Sequence, residues 1–224
     1  MGAKHTTYFN LLEALKEGCP VCFVIKKNAQ KFMDDFLYES VNDPGLRKEI
    51  KESVGFCNRH AWQFQKFGDG FGLGIVYEDL MRIVLKKMEA VNGSAASIKA
   101  IFKQLDKDER AKKSCIVCKE EKDVEGRYIA VFLENFDDPE LKINYKNSFG
   151  LCLPHMNLAI KKCKNNKLIN EIISIEAAKL NGLISEVKEF HRKHDYRFSK
   201  EKFGKEGDSW IRAIEKMIGK EGVF

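Results

Sequence analysis

Two pairs of cysteines recur along the chain at a spacing that metal sites use. Cys19-Pro-Val-Cys22 and Cys115-Ile-Val-Cys118 are followed, after 34 and 33 residues respectively, by a cysteine with a histidine three positions later. Thiolate and imidazole are the ligands of tetrahedral zinc, and a CxxC turn supplies two of them. At the start of a helix, positions i and i+3 share one face, so a CxxH unit can direct both side chains at one ion.

Because each CxxC pair precedes a CxxH unit in the chain, we predict one Cys3His quartet in each half. The first quartet is Cys19, Cys22, Cys57 and His60, and the second is Cys115, Cys118, Cys152 and His155. Four protein ligands close the shell of a zinc ion, whereas a catalytic zinc keeps one position open for water. We therefore expect two structural zinc ions per chain and no catalytic residue.

The same ligands leave other chemistries open. Three cysteines and a histidine can hold an iron–sulfur cluster for electron transfer or redox sensing, although the closely spaced cysteines of ferredoxins are absent here. Oxidation of the thiolates can also release zinc, as in a redox switch. A third interpretation is an enzyme with its site between the two halves, which would require a fifth ligand or a water in place of a histidine.

The metal motifs lie in a sequence that repeats, which indicates one supersecondary unit used twice. Matching positions are Glu39 and Glu134, Asp43-Pro44 and Asp138-Pro139, Leu46 and Leu141, Lys51 and Lys146, and Ser53-x-Gly55 and Ser148-x-Gly150. Each Asp-Pro pair predicts an N-cap followed by the first residue of a short helix. Gly55 and Gly150 are predicted to end these helices in a left-handed turn, and Cys57 and Cys152 to begin the next ones.

Helical periodicity extends over the rest of the chain, and strand patterns are absent. A long helix is marked by Val76, Leu80, Val84 and Met88, a short one by Ile98, Ile101, Phe102 and Leu105, a second long one by Ile169, Ile172, Leu180, Leu183 and Val187, and a final one by Trp210, Ile214, Met217 and Ile218. We predict an all-α protein of internally duplicated helical bundle units. Its domains are a first repeat over 1–105, a second over 106–193, and a C-terminal arm and helix over 194–224 that packs on the bundle.

Composition narrows the cellular setting and the class of partner. The chain has 224 residues, a mixture of both charge signs, and a net charge of +6. This mild excess of positive charge favours an acidic partner, and we expect that partner to be a protein of unspecified identity. The N-terminus lacks the apolar core of a secretory signal, and no stretch approaches a membrane span. We expect a cytoplasmic protein with reduced thiols and no membrane partner.

Several other motifs have simpler explanations than chemistry. Gly68-Asp-Gly70-Phe-Gly72-Leu-Gly74 does not fit a phosphate loop and is interpreted as a flexible helix connection. The basic and aromatic segment 191–198 makes nucleic acid a second candidate partner, but we expect Tyr196 and Phe198 to pack against the bundle. Cys163 is interpreted as a helix-face cysteine. His5, His191 and His194 have no ligand spacing and are expected at the surface.

The motifs also resemble a known family. CPVC at 19–22, FLYESVNDP at 36–44, GFCNRH at 55–60, GLCLPH at 150–155, and DYRF with EGDSWIRAIEKMIG at 195–219 are similar to an uncharacterised prokaryotic family known only as a domain of unknown function. The resemblance covers nearly the whole chain and implies metal binding and a helical fold, without an activity. The chain departs from the family at Ser114-Cys115-Ile116, where a Cys-Pro pair is common. This change alters the stiffness of the turn and leaves the ligands in place.

Overall fold

The computed structural model describes residues 5–53, 55–89, 99–100, 103 and 115–224. Over these residues the chain contains ten α-helices with defined bounds and no strand, which confirms the all-α prediction. The four residues that mark the predicted short helix, and the predicted boundary at residues 105 and 106, lie outside the described residues; the four are Ile98, Ile101, Phe102 and Leu105. No helix in the described ranges is long and apolar enough to cross a membrane.

The helices follow each CxxC pair in the same order. They are α1 Thr6–Ala14, α2 Pro20–Asp35, α3 Pro44–Glu52, α4 Asn58–Gln65, α5 Gly70–Glu89, α6 Ile116–Glu134, α7 Pro139–Asn147, α8 Leu153–Lys162, α9 Asn166–Lys193 and α10 Ser209–Ile218. A π-helical turn, Phe36–Ser40, continues α2, and two 3-10 turns, Tyr196–Phe198 and Lys205–Asp208, precede α10. Thus α2 to α5 correspond in order to α6 to α9.

The short helices α3 and α7 begin as the Asp-Pro pairs predict. Asp43 accepts a hydrogen bond from the backbone N–H of Leu46 at 2.8 Å, and Asp138 accepts one from Leu141 at 3.2 Å. In each helix proline occupies the first turn, where its missing N–H costs no hydrogen bond. Both caps are therefore confirmed.

Contacts group the chain into two compact units. Unit one comprises Met1–Lys26 and Val124–Phe224, and unit two comprises Lys27–Asp123. The core of each unit contains packed aromatic rings: Phe132, Phe136 and Tyr145 in unit one, and Phe36, Phe56 and Phe64 in unit two. The unit boundaries fall inside α2 and α6, so each of these helices begins in one unit and ends in the other.

The two turn glycines have different surroundings. Gly55 and Gly150 have φ values of +101° and +82°, the left-handed conformation that the sequence predicts. A side chain at Gly55 would meet Leu80, whereas one at Gly150 would collide with the carboxylate of Glu176. An apolar side chain in unit two therefore stands where unit one has a buried acid.

The buried acid in unit one anchors the C-terminal helix. Glu176 Oε2 lies 2.5 Å from the ammonium of Lys216 on α10, and Glu176 Oε1 accepts hydrogen bonds from the hydroxyl of Tyr145 and, at 2.9 Å, the N–H of Leu151. Lys216 also donates to the carbonyl of Phe149 at 3.0 Å. This network ties α9 and α10 to the turn before Cys152, and it has no counterpart in the sequence prediction.

The C-terminal arm departs from the prediction in how its aromatic and apolar residues face. Tyr196 is 83% exposed, so the expectation that it packs against the bundle is wrong. Phe198 is half-buried, with the Arg192 guanidinium 4.4 Å from its ring centre. In α10 the polar residues Ser209 and Lys216 are buried and the apolar stripe is exposed. Ion pairs of Arg212 and Lys216 with acids of α9 hold the polar face of this helix.

Replacement of Gly150 by alanine tests the positive-φ turn. Gly150→Ala should lower the melting temperature by about 2–8 °C, because a left-handed alanine costs about 1–2 kcal/mol and its Cβ also meets Glu176. Gly182→Ala, in the middle of α9 with open space around it, is the control. It should raise the melting temperature by a few degrees, since alanine favours helix by up to about 1 kcal/mol. Equal melting temperatures for the two variants would contradict the assigned turn.

Candidate metal centres

All eight residues singled out by the sequence gather in two clusters, but the clusters are not the predicted quartets. Site one contains Cys19, Cys22, Cys152 and His155, and site two contains Cys57, His60, Cys115 and Cys118. In each cluster the four candidate ligand atoms lie within 4.8 Å of one another. The Cys3His composition is as predicted, but the grouping of each CxxC with the next CxxH in the chain is wrong.

Helix length explains the exchange of partners. Each CxxC pair stands at the start of a long helix, and the 16 residues of α2 advance the chain by about 24 Å. Cys22 belongs to unit one, whereas the end of α2 and the following Cys57 belong to unit two. The second half repeats this arrangement in reverse, because Cys118 belongs to unit two and Cys152 to unit one. Each CxxC therefore meets the CxxH of the other half.

In site one the imidazole nitrogen faces three sulfurs. His155 Nδ1 lies 3.4 Å from Cys19 Sγ, 3.4 Å from Cys22 Sγ and 3.1 Å from Cys152 Sγ. The sulfurs of Cys22 and Cys152 are 3.7 Å apart. Cys152 is the N-cap of α8, so its side chain and that of His155 project together from the first turn. All four residues are buried.

Site two has the same arrangement at the start of α4. His60 Nδ1 lies 3.2 Å from Cys57 Sγ, 3.6 Å from Cys115 Sγ and 3.3 Å from Cys118 Sγ. The sulfurs of Cys57 and Cys118 are 3.6 Å apart. Unlike the ligands of site one, Cys57 and Cys118 are partly accessible to solvent. The two sites thus share their geometry and differ in their exposure.

A carboxylate on α6 approaches the second nitrogen of each histidine. Glu121 Oε1 lies 3.1 Å from His60 Nε2, and Glu125 Oε1 lies 3.2 Å from His155 Nε2. Both Nε2 atoms are buried, and each carboxylate is out of line for a directed hydrogen bond. A small rotation of the glutamate would complete the carboxylate–histidine pair that orients imidazole ligands in metal sites. Arg59 pairs with Glu121 and holds it in place.

Sequence reasoning missed these two acids, although a signal for them exists. Glu121 and Glu125 are four residues apart on α6, so they share a helix face. The equivalent positions in α2 are the apolar Ile25 and Ala29. The acids thus break the match between the halves at two positions of one helical stripe.

The C-terminal residues enclose site one. The backbone N–H of Lys220 lies 3.5 Å from Cys22 Sγ, and the ring of Phe224 packs against that of His155 with centres 5.1 Å apart. An N–H directed at a thiolate stabilises its charge, and the ring excludes water from the imidazole. No motif in the sequence predicts this enclosure, because the tail follows Cys22 by almost the full chain length.

The charges in the two clusters are shared between sulfur and imidazole. Burial opposes the charge on His60 and His155, but hydrogen bonds with the neighbouring thiolates outweigh it and raise the pKa to about 10 and about 11. Hydrogen bonds with Cys115 and Cys118 lower the pKa of Cys57. Burial opposes the charge on Cys19, and hydrogen bonds with Cys152 and Cys22 hold its pKa well below the usual value. An incoming cation therefore binds to a partly ionised set and displaces the remaining protons.

The other candidate residues lie outside the clusters. His5, His191 and His194 are exposed, as expected. Cys163 is partly buried in the turn that ends α8, beyond the helical residues, so its assignment to a helix face is wrong. The glycine-rich segment is the start of α5 and not a flexible connection, since Asp69 accepts a hydrogen bond from the N–H of Gly72 at 3.0 Å.

Comparison with known proteins gives the chain a family and a relative, neither of which has an assigned role. A family model described as a family of unknown function, DUF6062, matches residues 8–222. The chain is also 28% identical over 212 residues to an uncharacterized 23.9 kDa protein in the xynA 3' region of Caldicellulosiruptor sp. (strain Rt8B.4), which covers 93% of this chain and 99% of that protein. No solved structure matches.

Two double variants test the exchange of ligands. Cys19→Ser with Cys152→Ser removes two ligands from site one alone, so the protein should retain about one metal equivalent after dialysis against a weak chelator. Cys19→Ser with Cys57→Ser removes one ligand from each site and should retain much less. Metal analysis of the two proteins measures the difference. More retained metal in the Cys19→Ser/Cys57→Ser protein than in the Cys19→Ser/Cys152→Ser protein would instead support the quartets predicted from the sequence.

Exposure predicts which ion leaves first. Site two has two partly exposed sulfurs, whereas site one is closed by the C-terminal residues. A chelator should therefore remove the ion of site two about tenfold faster, because access governs thiolate exchange. The measurement is metal release into a chromogenic chelator, from the Cys19→Ser/Cys152→Ser protein and from its counterpart Cys57→Ser/Cys118→Ser. Slower release from site two would show that exposure does not set the rate.

Proposed function

Because the chain belongs to the DUF6062 family, whose function is unknown, we propose a role for it from the geometry of its two sites. It is a helical protein in which two structural zinc ions, one in each Cys3His site, hold the ends of helices together. The resulting scaffold serves as an interaction or regulatory module. We place it in the cytoplasm, where thiols stay reduced and available to metal.

The spacing of the ligand atoms carries the proposal. Zinc bonds of about 2.3 Å to sulfur and about 2.0 Å to nitrogen place tetrahedral ligands about 3.8 Å apart for two sulfurs and about 3.6 Å for sulfur and nitrogen. One sulfur pair in each site is 3.7 or 3.6 Å apart, the sulfur–nitrogen distances range from 3.1 to 3.6 Å, and every other pair of ligand atoms lies within 4.8 Å. Such edges surround a single small ion with little adjustment.

The same distances argue against the iron–sulfur alternative. In a cubane cluster each thiolate binds a different iron atom, which separates the sulfur ligands by roughly 6 Å. All ligand atoms within each site lie within 4.8 Å of one another, so the helix ends would have to move apart to admit a cluster. Zinc, which prefers four thiolate and imidazole ligands, fits without that movement.

Closed coordination favours a structural role over a catalytic one. Each site provides four ligands, and three of them are thiolates that offset the charge of a divalent ion. Such an ion has no open position for water and is a weak Lewis acid. Its contribution is to stabilise the folded chain, as in other small proteins whose structural zinc supplies folding energy.

Metal analysis with a visible spectrum tests this proposal. Purified protein should be colourless and contain about two zinc ions per chain. Removal of both ions should lower the melting temperature by at least about 10 °C, because each bound ion contributes several kcal/mol. Brown protein with inorganic sulfide would support the cluster instead. Unchanged helicity and heat resistance after the ions are removed would exclude a structural role.

A further inference from the structure

The outward face of α10 is apolar, which is the reverse of an ordinary surface helix. Trp210, Ile214, Met217 and Ile218 recur at helical spacing and are each about half exposed or more. The opposite face of the helix carries Arg212 and Lys216, which pair with Glu186 and Glu176 of α9. A helix fixed by its polar face presents an apolar stripe to whatever lies outside.

This stripe borders an open groove between α9 and α10. The groove has a volume of about 330 Å³. Its walls are almost entirely apolar and come from successive turns of the two helices: Leu180, Leu183, Ile184, Val187, Ala213 and Met217. Ile184 and Met217 are 49% and 53% exposed, and no described residue of the chain covers them. Two neighbouring helices with apolar residues at this spacing form the kind of groove that receives a third helix.

The charges beside the groove are mainly positive. Lys188 lies on its wall and forms no ion pair with any described residue. A smaller polar depression shares Leu183 and Lys216 with the groove and adds Lys179 and Arg212, against a single acid, Glu186. Lys179 donates to the carbonyls of Lys146, at 2.8 Å, and Ser148, and it forms no ion pair with a described residue. Arg212 and Lys216 are paired with acids of α9, so Lys179 and Lys188 are the cations that remain for a partner.

From this combination we propose that the α9–α10 groove binds an amphipathic helix of a partner protein, with an apolar face flanked by acidic residues. This proposal rests on the interaction role proposed above and names the surface and the chemistry of the partner. Apolar side chains of the partner fill the groove, and its carboxylates pair with Lys188 and Lys179. Opposite charge beside an apolar patch fixes the orientation of the partner and speeds the encounter.

The lysines beside the groove argue against a second copy of this chain as the occupant. Two identical grooves facing each other would bring Lys179 and Lys188 of both chains into one interface without added acids. Like charges at an interface cost binding energy. A small apolar ligand would also be left partly in water, because the groove is open along one side, whereas ligand pockets bury most of their ligand.

Selection from a displayed peptide library tests the proposal with the full-length, zinc-loaded protein. The library presents random peptides of about 18 residues, five helical turns. Selection against the wild-type chain should enrich peptides with apolar residues at i, i+3, i+4 and i+7 and with glutamate or aspartate beside them. A synthetic copy of the best peptide then serves as the probe for measured affinities.

Matched variants locate the binding site on the protein. Ile184→Glu in the groove should weaken binding of the selected peptide by about tenfold or more, as loss of an interface anchor does. Ile143→Glu on α7 is equally a charge on an exposed isoleucine, 60% accessible, and should leave binding unchanged. Lys188→Glu should weaken binding and reduce its salt dependence, whereas Lys164→Glu, exposed and outside the groove, should have little effect.

The outcomes separate this proposal from its rivals and from the metal scaffold. No enriched motif, or equal binding by the Ile184→Glu and Ile143→Glu proteins, would overturn the groove. The proposal would also be overturned if the wild-type chain formed a dimer that Ile184→Glu converts to a monomer. It would likewise be overturned if the wild type, and not that variant, sedimented with anionic vesicles. Zinc content is measured for every variant. Wild-type protein that keeps both ions and selects no peptide refutes the groove alone, whereas wild-type protein without zinc refutes the proposed scaffold.

Discussion

The gathering of each CxxC pair with the CxxH unit of the other half is the constraint on which the two candidate metal sites depend. A metal ion at site one would cross-link residues 130 positions apart, and one at site two would cross-link residues 61 positions apart within that same loop. By the loop-entropy relation for cross-links, closing these two loops would raise the free energy of the unfolded chain by about 5 and 4 kcal/mol respectively. Clamps within each half would close much shorter loops and restrict the chain less. Each ion would therefore stabilise the folded state more in the observed grouping than in the predicted one.

Helix α6 contributes to both centres and so couples their construction. It begins just after Cys115 and contains Cys118, two sulfur ligands of site two. One turn and two turns later it places Glu121 beside His60 and Glu125 beside His155. Its counterpart α2 provides sulfur ligands and no carboxylate. The helices that follow the two CxxC pairs thus differ, because only α6 brings a carboxylate near each imidazole.

Local features of the fold could be predicted from the sequence, and long-range ones could not. The Asp43 and Asp138 caps, the Gly55 and Gly150 turns and the eight residues of the two candidate sites follow from residue types within a few positions of one another. The pairing of Cys22 with Cys152 depends on where long helices carry the chain, and either grouping gives the same Cys3His composition. The outward stripe of α10 also escaped prediction, because periodicity identifies an apolar face without saying which way it points.

The residues of site two lie between the first and last residues of site one in the chain, so the two sites are completed in a fixed order during synthesis. A chain emerges from the ribosome from its N-terminus, and the last ligand of site two is Cys118, whereas site one waits for Cys152 and His155. Lys220 and Phe224, which contact site one, are synthesised later still. A metal ion could thus bind at site two while Cys19 and Cys22 are still without Cys152 and His155. For a chain that binds two ions, translation would itself set the order of metal loading.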